Sequence, residues 1–229
     1  HSRQKQWSLV LLALPLLLLL LWTTLVAGQT TVQGSGMTKI LRDAILTRHN
    51  RYRTRVRATA MIALRWSRKL EQHATNWVSR CHFQHQLNGR WGETIYRSEF
   101  NNSELDVVIR GVGSWTVEYS YVIAAKRLGE PCCDANYNNS LCCNYQQMVW
   151  SKTTRVGCAL KRCPRLTAPD DNFLNAWFFT CYYDPPGNVA GQKPYIKGKP
   201  CSQCPYTYNQ CTRGLCYPSA FCRAIDKDI

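Results

Sequence analysis

Acidic side chains are scarce in this chain: 14 Asp and Glu stand against 29 Lys and Arg, a formal charge of +15 at pH 7. An excess of that size attracts polyanions such as sulfated glycans, acidic membrane surfaces or nucleic acid. No nucleic-acid-binding motif accompanies it, which excludes the last of these for an exported chain. Two hydrolase signatures are also missing. There is no G-x-S-x-G elbow to expose a serine nucleophile and no H-E-x-x-H pair to hold a catalytic zinc. Histidine itself is sparse, at five residues. No internal repeat is found, and no low-complexity segment beyond the first thirty residues, so a solenoid or linker array is excluded.

What is present begins with a leader. Arg3 and Lys5 precede a charge-free, Leu-rich run from Leu9 to Ala27, and Val26-Ala27-Gly28 offers small residues at a cleavage point. Basic, apolar and small segments in that order describe a secretory signal peptide, expected over residues 1–28. A retained anchor is the competing reading, because nineteen uncharged residues just span a bilayer, although Pro15 interrupts them. After cleavage no transmembrane segment is expected, and the formal +15 falls to +13 as Arg3 and Lys5 leave. The chain opens without Met, so a few residues are expected to precede His1. Thirteen cysteines in an exported chain read as structural disulfides. Two sequons, at Asn101 and Asn138, fit a glycosylated extracellular surface.

Periodicity divides the remainder. A first helix is expected near Lys39 to Tyr52, with Ile40, Leu41, Ala44, Ile45, Arg48, His49 and Tyr52 on one stripe. A second follows the N-cap Ser67 and carries Leu70, Ala74, Trp77, Val78 and Cys81 on one face. A third opens at Ser103, three residues before Asp106, in a pattern resembling a capping box. Leu105, Val108, Ile109, Val112 and Tyr119 form its apolar face, and Gly111 and Gly113 are expected to bend or break it. Val156 to Leu160 and Asn175 to Tyr183 read as strands. Helices followed by strands predict an α+β fold with a mostly antiparallel sheet. The arginines at 48, 51, 53, 55 and 57 would scatter around a helix, whereas an extended segment would put the last four on one face. From about Gly191 the apolar periodicity ends, and residues 191–229 read as a cysteine-stapled tail.

Five strings then occur in order: HNRYR from His49, CHFQH from Cys81, WGET from Trp91, CNYQQMVW from Cys143 and CYYDPPGN from Cys181. Together they resemble the signatures of the CAP superfamily (cysteine-rich secretory proteins, antigen 5 and pathogenesis-related proteins). The tail PCSQCPYTYNQCTRGLC resembles the hinge that follows this domain in cysteine-rich secretory and peptidase-inhibitor-like members. The resemblance implies a three-layer α-β-α sandwich over residues 29–190, with the hinge over 191–229. It also implies two bridges, Cys81–Cys163 and Cys158–Cys181, and places a lost family bridge at Trp91 and Asp184. Cys132, Cys133, Cys142 and Cys143 are expected to form two local bridges across a loop, since adjacent cysteines pair only with strain. Cys201, Cys204, Cys211 and Cys216 supply two more, and Cys222 is left unpaired. Cys222 is read either as a remnant of the channel-active domain that follows the hinge in cysteine-rich secretory proteins or as a sign that the chain continues.

Many CAP domains carry a cleft of two His and two Glu that holds a divalent metal. Carried over by motif, this chain supplies His85, Glu93 and Glu118, but Asn144 stands where the second His is due. An amide oxygen replaces imidazole poorly on zinc and suits harder cations better, so no cofactor beyond a weakly held divalent metal is expected. His82 is expected to be an exposed loop residue, and His85, Glu93 and Glu118 to bond one another in a cleft. Gln86 replaces a serine often found after the motif His, which removes a nucleophile candidate as Asn144 removes a base. The chain is therefore expected not to be an enzyme. An extracellular protein or a sulfated glycan is the expected partner, with a sterol or fatty-acid carrier as the alternative, its groove lined by Trp115 to Ala125.

Overall fold

The computed structural model describes residues 37–87, 89–124, 129–133 and 142–219. The leader 1–28, the sequon residue Asn138 and Cys222 lie outside the described residues.

Thr38 opens the first helix, α1 (Lys39–Arg55), by accepting the Leu41 N–H on its side-chain oxygen. Leu41, Ile45, His49 and Arg53 recur every four residues and form its buried stripe. Ile40 faces solvent and Tyr52 is half-buried, so the stripe is narrower than the expected one. The helix runs through Arg55, which scatters the arginines around it. Arg51 and Arg55 are exposed, while Arg53 points inward and is fully buried. Ser67 caps α2 (Arg68–Val78), whose Leu70, Ala74, Trp77 and Val78 are buried.

Ser103 caps α3 (Glu104–Val117), accepting the Asp106 N–H and donating its hydroxyl to the Asp106 carboxylate. The two glycines do not break this helix. Gly111 is instead a point of close approach, because a Cβ there would lie 2.6 Å from Cδ1 of Phe179. The chain turns at Glu118 and continues as α4 (Tyr119–Ala124), so Tyr119 belongs to the second helix. Trp115 and Val122 are buried, whereas Val117, Tyr121 and Ile123 face solvent, so this stretch is mixed core and surface. A further α-helix, α5 (Cys143–Met148), follows.

Four strands form one sheet in the order β1 (Arg65–Trp66), β3 (Arg155–Thr167), β4 (Asn172–Asp184), β2 (Gly92–Ser98). β1 runs parallel to β3 and the other pairs are antiparallel. β4 lies between two neighbours and is buried from Ala176 to Tyr183, the near-continuous apolar run of a strand covered on both faces. Its alternation sorts the core. Trp177, Phe179, Cys181 and Tyr183 pack with residues of α1 and α3 and with Met148, while Ala176, Phe178 and Tyr182 pack with α2. The result is a three-layer α-β-α sandwich.

The tail adds a hairpin, β5 (Gln210–Thr212) and β6 (Leu215–Tyr217). It is anchored to the main domain by backbone bonds from Cys216 N–H to Met61 O (2.7 Å) and from Ala63 N–H to Cys216 O (2.9 Å). Leu215 joins a third apolar cluster with Met61, Val122, Tyr145 and Tyr195. Among the described residues the disulfides are Cys81–Cys163, Cys132–Cys142, Cys133–Cys143, Cys158–Cys181, Cys201–Cys211 and Cys204–Cys216. At the positions read as a lost bridge, Trp91 packs on His73 and Tyr182, and Asp184 faces Arg155 at 3.7 Å.

Candidate functional site

The register of β2 on β4 sets Glu93 directly opposite Tyr182. Cross-strand neighbours point to the same face, and the Tyr182 hydroxyl donates to Glu93 Oε1 at 2.7 Å. Glu93 Oε2 accepts two more bonds at 2.9 Å, from the Gln86 backbone N–H and from His85 Nδ1. The carboxylate is nearly buried, with a side-chain exposure of 8%, while the His85 ring keeps 58%. Burial and then the Glu93 charge push the Tyr182 hydroxyl far above the ordinary tyrosine range. Tyr182 therefore stays a neutral donor.

The second pair is built where α3 ends and α5 begins. Glu118 Oε1 accepts from Asn144 Nδ2 at 2.7 Å, and Oε2 accepts the Tyr145 backbone N–H at 2.8 Å. A carboxylate at that position satisfies donors that a helix N-terminus leaves open. Burial raises the Glu118 pKa, partly offset by the Asn144 and Tyr145 bonds and by the charge of His85. The His85 ring that bonds Glu93 thus also acts electrostatically on Glu118. Of the four residues expected there, the bonds join His85 to Glu93 and Asn144 to Glu118.

His82 lies elsewhere, its Nδ1 bonded to Thr167 Oγ1 (2.7 Å) at the far end of β3. A residue the motifs passed over, His73, belongs beside the site. Its Nε2 bonds Gln86 Oε1 at 2.7 Å, and its ring packs edge-on against Trp91 and Tyr182, with centroids 4.4 and 4.5 Å away. Only its half-buried place on α2, one residue before the buried Ala74, could have hinted at this. Asn101 is exposed and its Oδ1 accepts from Arg162 at 2.6 Å, while the sequon Ser103 serves as the α3 cap.

Chemically the cleft is a hydrogen-bonded polar cluster. Among the described residues no serine, threonine or cysteine is bonded to His85 or His73, so neither imidazole is placed to activate a nucleophile. As a zinc site the donor set is poor. It offers one imidazole, an amide, and two carboxylates whose four oxygens already accept internal bonds. Among the described residues, the sulfurs of Cys201, Cys204 and Cys216 do lie within 4.8 Å of one another, but all three are consumed in disulfides.

Residues 46–183 match the family model described as CAP, cysteine-rich secretory protein family. The chain is similar to peptidase inhibitor 16 of Mus musculus, 36% identical over 194 residues that make up 83% of this chain and 36% of the relative. The same-named protein of Homo sapiens is 34% identical, covering 92% of this chain and 42% of the relative, so the chain spans well under half the length of these two. Peptidase inhibitor R3HDML of Homo sapiens is 30% identical, over 76% of this chain and 71% of its own length. Among solved structures, NaASP2 with Zn2+ superposes with a TM-score of 0.64 at 26% identity, covering 79% of this chain and 97% of that one. Na-ASP-1 gives 0.67 at 25% identity, over 82% and 50%. On its sequence match and its three layers, the chain belongs to the CAP family of cysteine-rich secretory proteins.

Proposed function

We propose that this chain is a secreted, non-catalytic module that binds an extracellular protein, with a peptidase as the partner class its relatives' names suggest. The observation that carries the reading is the state of the cleft. Glu93 and Glu118 spend every carboxylate oxygen on internal bonds, and neither imidazole addresses a nucleophile. A general base must reach the proton that it abstracts, and these groups instead hold α3, α5 and β2 in place. The leader 1–28 and six disulfides favour export. Residues 29–190 then act as the CAP domain and 191–229 as its hinge, with no tightly held metal.

The test uses the full chain harvested from culture medium. It is immobilised and presented with a panel of secreted serine, cysteine and metallopeptidases, alongside native mass spectrometry before and after denaturation. Saturable one-to-one binding of a peptidase, with no hydrolysis of ester or peptide reporters, is the expected result. Turnover that disappears in His85→Ala overturns the non-catalytic reading. A sterol or fatty acid released on denaturation replaces it with a carrier.

A further inference from the structure

The hairpin of the hinge closes one wall of a groove whose other wall is the exposed face of α1. Leu46, Asn50, Arg51, Thr54 and Arg55 face Arg213, Leu215 and Tyr217 across a cavity of about 480 Å³, within the range of ligand sites. The walls are close: Thr54 Cγ2 would lie 3.9 Å from a Cβ placed on Gly214. Its charge is of one sign. Arg51, Arg55 and Arg213 are exposed, no acid lines the groove, and none of the three arginines pairs with a carboxylate among the described residues.

Ordinary structural roles account for only part of this. Arg55 stands in the last turn of α1, where a cation complements the helix dipole, and its guanidinium lies over the Tyr52 ring at 5.1 Å. Arg51 lies outside that last turn, and Arg213 is on another element. Arg213 also occupies the turn of the hairpin at φ 50°, beside Gly214 at φ 79°. A two-residue turn with both φ positive favours Asn, Asp or Gly, so an arginine is held there against local preference, and its guanidinium completes the groove.

We propose that this groove binds a sulfated oligosaccharide of the glycosaminoglycan class. The guanidinium fork matches a tetrahedral oxyanion with two parallel bonds. Arg51 and Arg55 sit one helical turn apart along one wall, and Arg213 answers them from the other, which suits a chain of repeated anions rather than a single ion. Tyr217 and Leu46, both half-buried, offer a face for the apolar side of a sugar ring, with the buried Leu215 behind them. An exported protein of formal charge +13 meets such chains outside the cell, so the assignment rests on the proposed export, though not on the identity of any protein partner.

The probe is a size-defined heparin dodecasaccharide, titrated calorimetrically against the full secreted chain at physiological salt. Binding is expected, and loss of sulfate from the probe abolishes it. The Arg51→Ala, Arg55→Ala, Arg213→Ala variant is expected to bind roughly tenfold more weakly, three exposed ion pairs being removed. A control of equal charge loss, Lys69→Ala, Arg165→Ala, Lys199→Ala, keeps most of the affinity. Equal weakening in both variants reduces the effect to net charge and overturns the site, as does no binding by the wild type. Tighter capture by phosphatidylserine vesicles through the same arginines overturns the glycan in favour of a membrane. Recovery of the chain from the medium is scored separately, so a failure of export is distinguishable from a failure of the groove.

Discussion

His49 and Tyr183 share a hydrogen bond of 2.8 Å in the centre of the protein, with the ring nitrogen Nε2 accepting the phenol proton. The other nitrogen, Nδ1, donates to Ile45 O at 2.8 Å, so both ring positions are used by the neutral form. Tyr183 in turn meets Thr94 Oγ1 at 3.1 Å, which ties α1 through β4 to β2.

This arrangement predicts acid sensitivity. Burial, with the nearby Arg53 charge adding to it, lowers the His49 pKa to about 4, although the Ile45 bond opposes the shift. The unfolded chain titrates near 6.5 and so binds more protons than the folded one between those values. The stabilisation is complete above pH 6.5 and is lost as pH falls towards 4, amounting to about 3 kcal/mol. Urea unfolding followed from pH 7.5 to 4.5 should show this slope, and His49→Gln should remove most of it. An unchanged slope in the variant would assign the acid sensitivity to other groups.

Arg53 is the second buried titratable side chain of α1, and among the described residues it has no carboxylate partner. Its guanidinium donates to the carbonyls of Ile62 (3.0 and 2.7 Å), Met148 (2.9 Å), Trp150 (2.8 Å), Ser151 (3.3 Å) and Thr153 (3.0 Å). Burial lowers its pKa to about 9, which still leaves it charged at neutral pH. A lysine gathers three donors at one point and cannot span these five oxygens. Arg53→Lys is therefore expected to cost about 3–5 kcal/mol, the range for disrupting a buried charged network. A calorimetric Tm lowered by only a degree or two would show that the loop carbonyls find water instead.

Some of this was legible in the sequence and some was not. Ser67 and Ser103 announce their helices because a cap is a local bond between residues three apart. The strand at Asn175 to Tyr183 is legible as an aromatic-rich, half-buried one, whereas its cover on both faces is not, because Thr180 interrupts the apolar run and the three layers follow from the family resemblance. The inward turn of Arg53 was not legible, because five arginines at close spacing differ only in which carbonyls the distant loop 148–153 presents to them. His73 escaped for a similar reason. Its partner Gln86 is thirteen residues away, and its ring contacts depend on β4 reaching α2.

The two glycines of α3 make a paired prediction. A Cβ at Gly113 meets nothing within 4 Å, so Gly113→Ala should raise stability by about 1 kcal/mol through helix propensity. Gly111→Ala gains the same propensity but drives a methyl to 2.6 Å from the Phe179 ring and 3.0 Å from Tyr96. Overpacking of this kind costs about 1–3 kcal/mol, so the second variant should melt lower than wild type. Equal Tm changes in the two would show that the Phe179 ring yields without cost.

Asn144 offers the sharpest chemical test, because it decides how many imidazoles face the cleft. His85 already donates from Nδ1 to Glu93, which leaves its Nε2 as a free ligand atom with its ring oriented by the carboxylate. Asn144 touches Glu118 Oε1 at 2.7 Å, so a ring replacing its amide starts in contact with the second carboxylate. Asn144→His doubles the number of nitrogen donors, and imidazole is the ligand that zinc favours over an amide. Zinc affinity, measured by chelator competition at pH 7.5, is expected to rise by a factor of about ten or more. Native mass spectrometry should then retain one ion per chain in the variant alone. If wild type and variant bind zinc equally, the second imidazole is not what limits the site. The limit would then lie in Glu93, whose oxygens would have to give up the Tyr182 and Gln86 donors before reaching a metal.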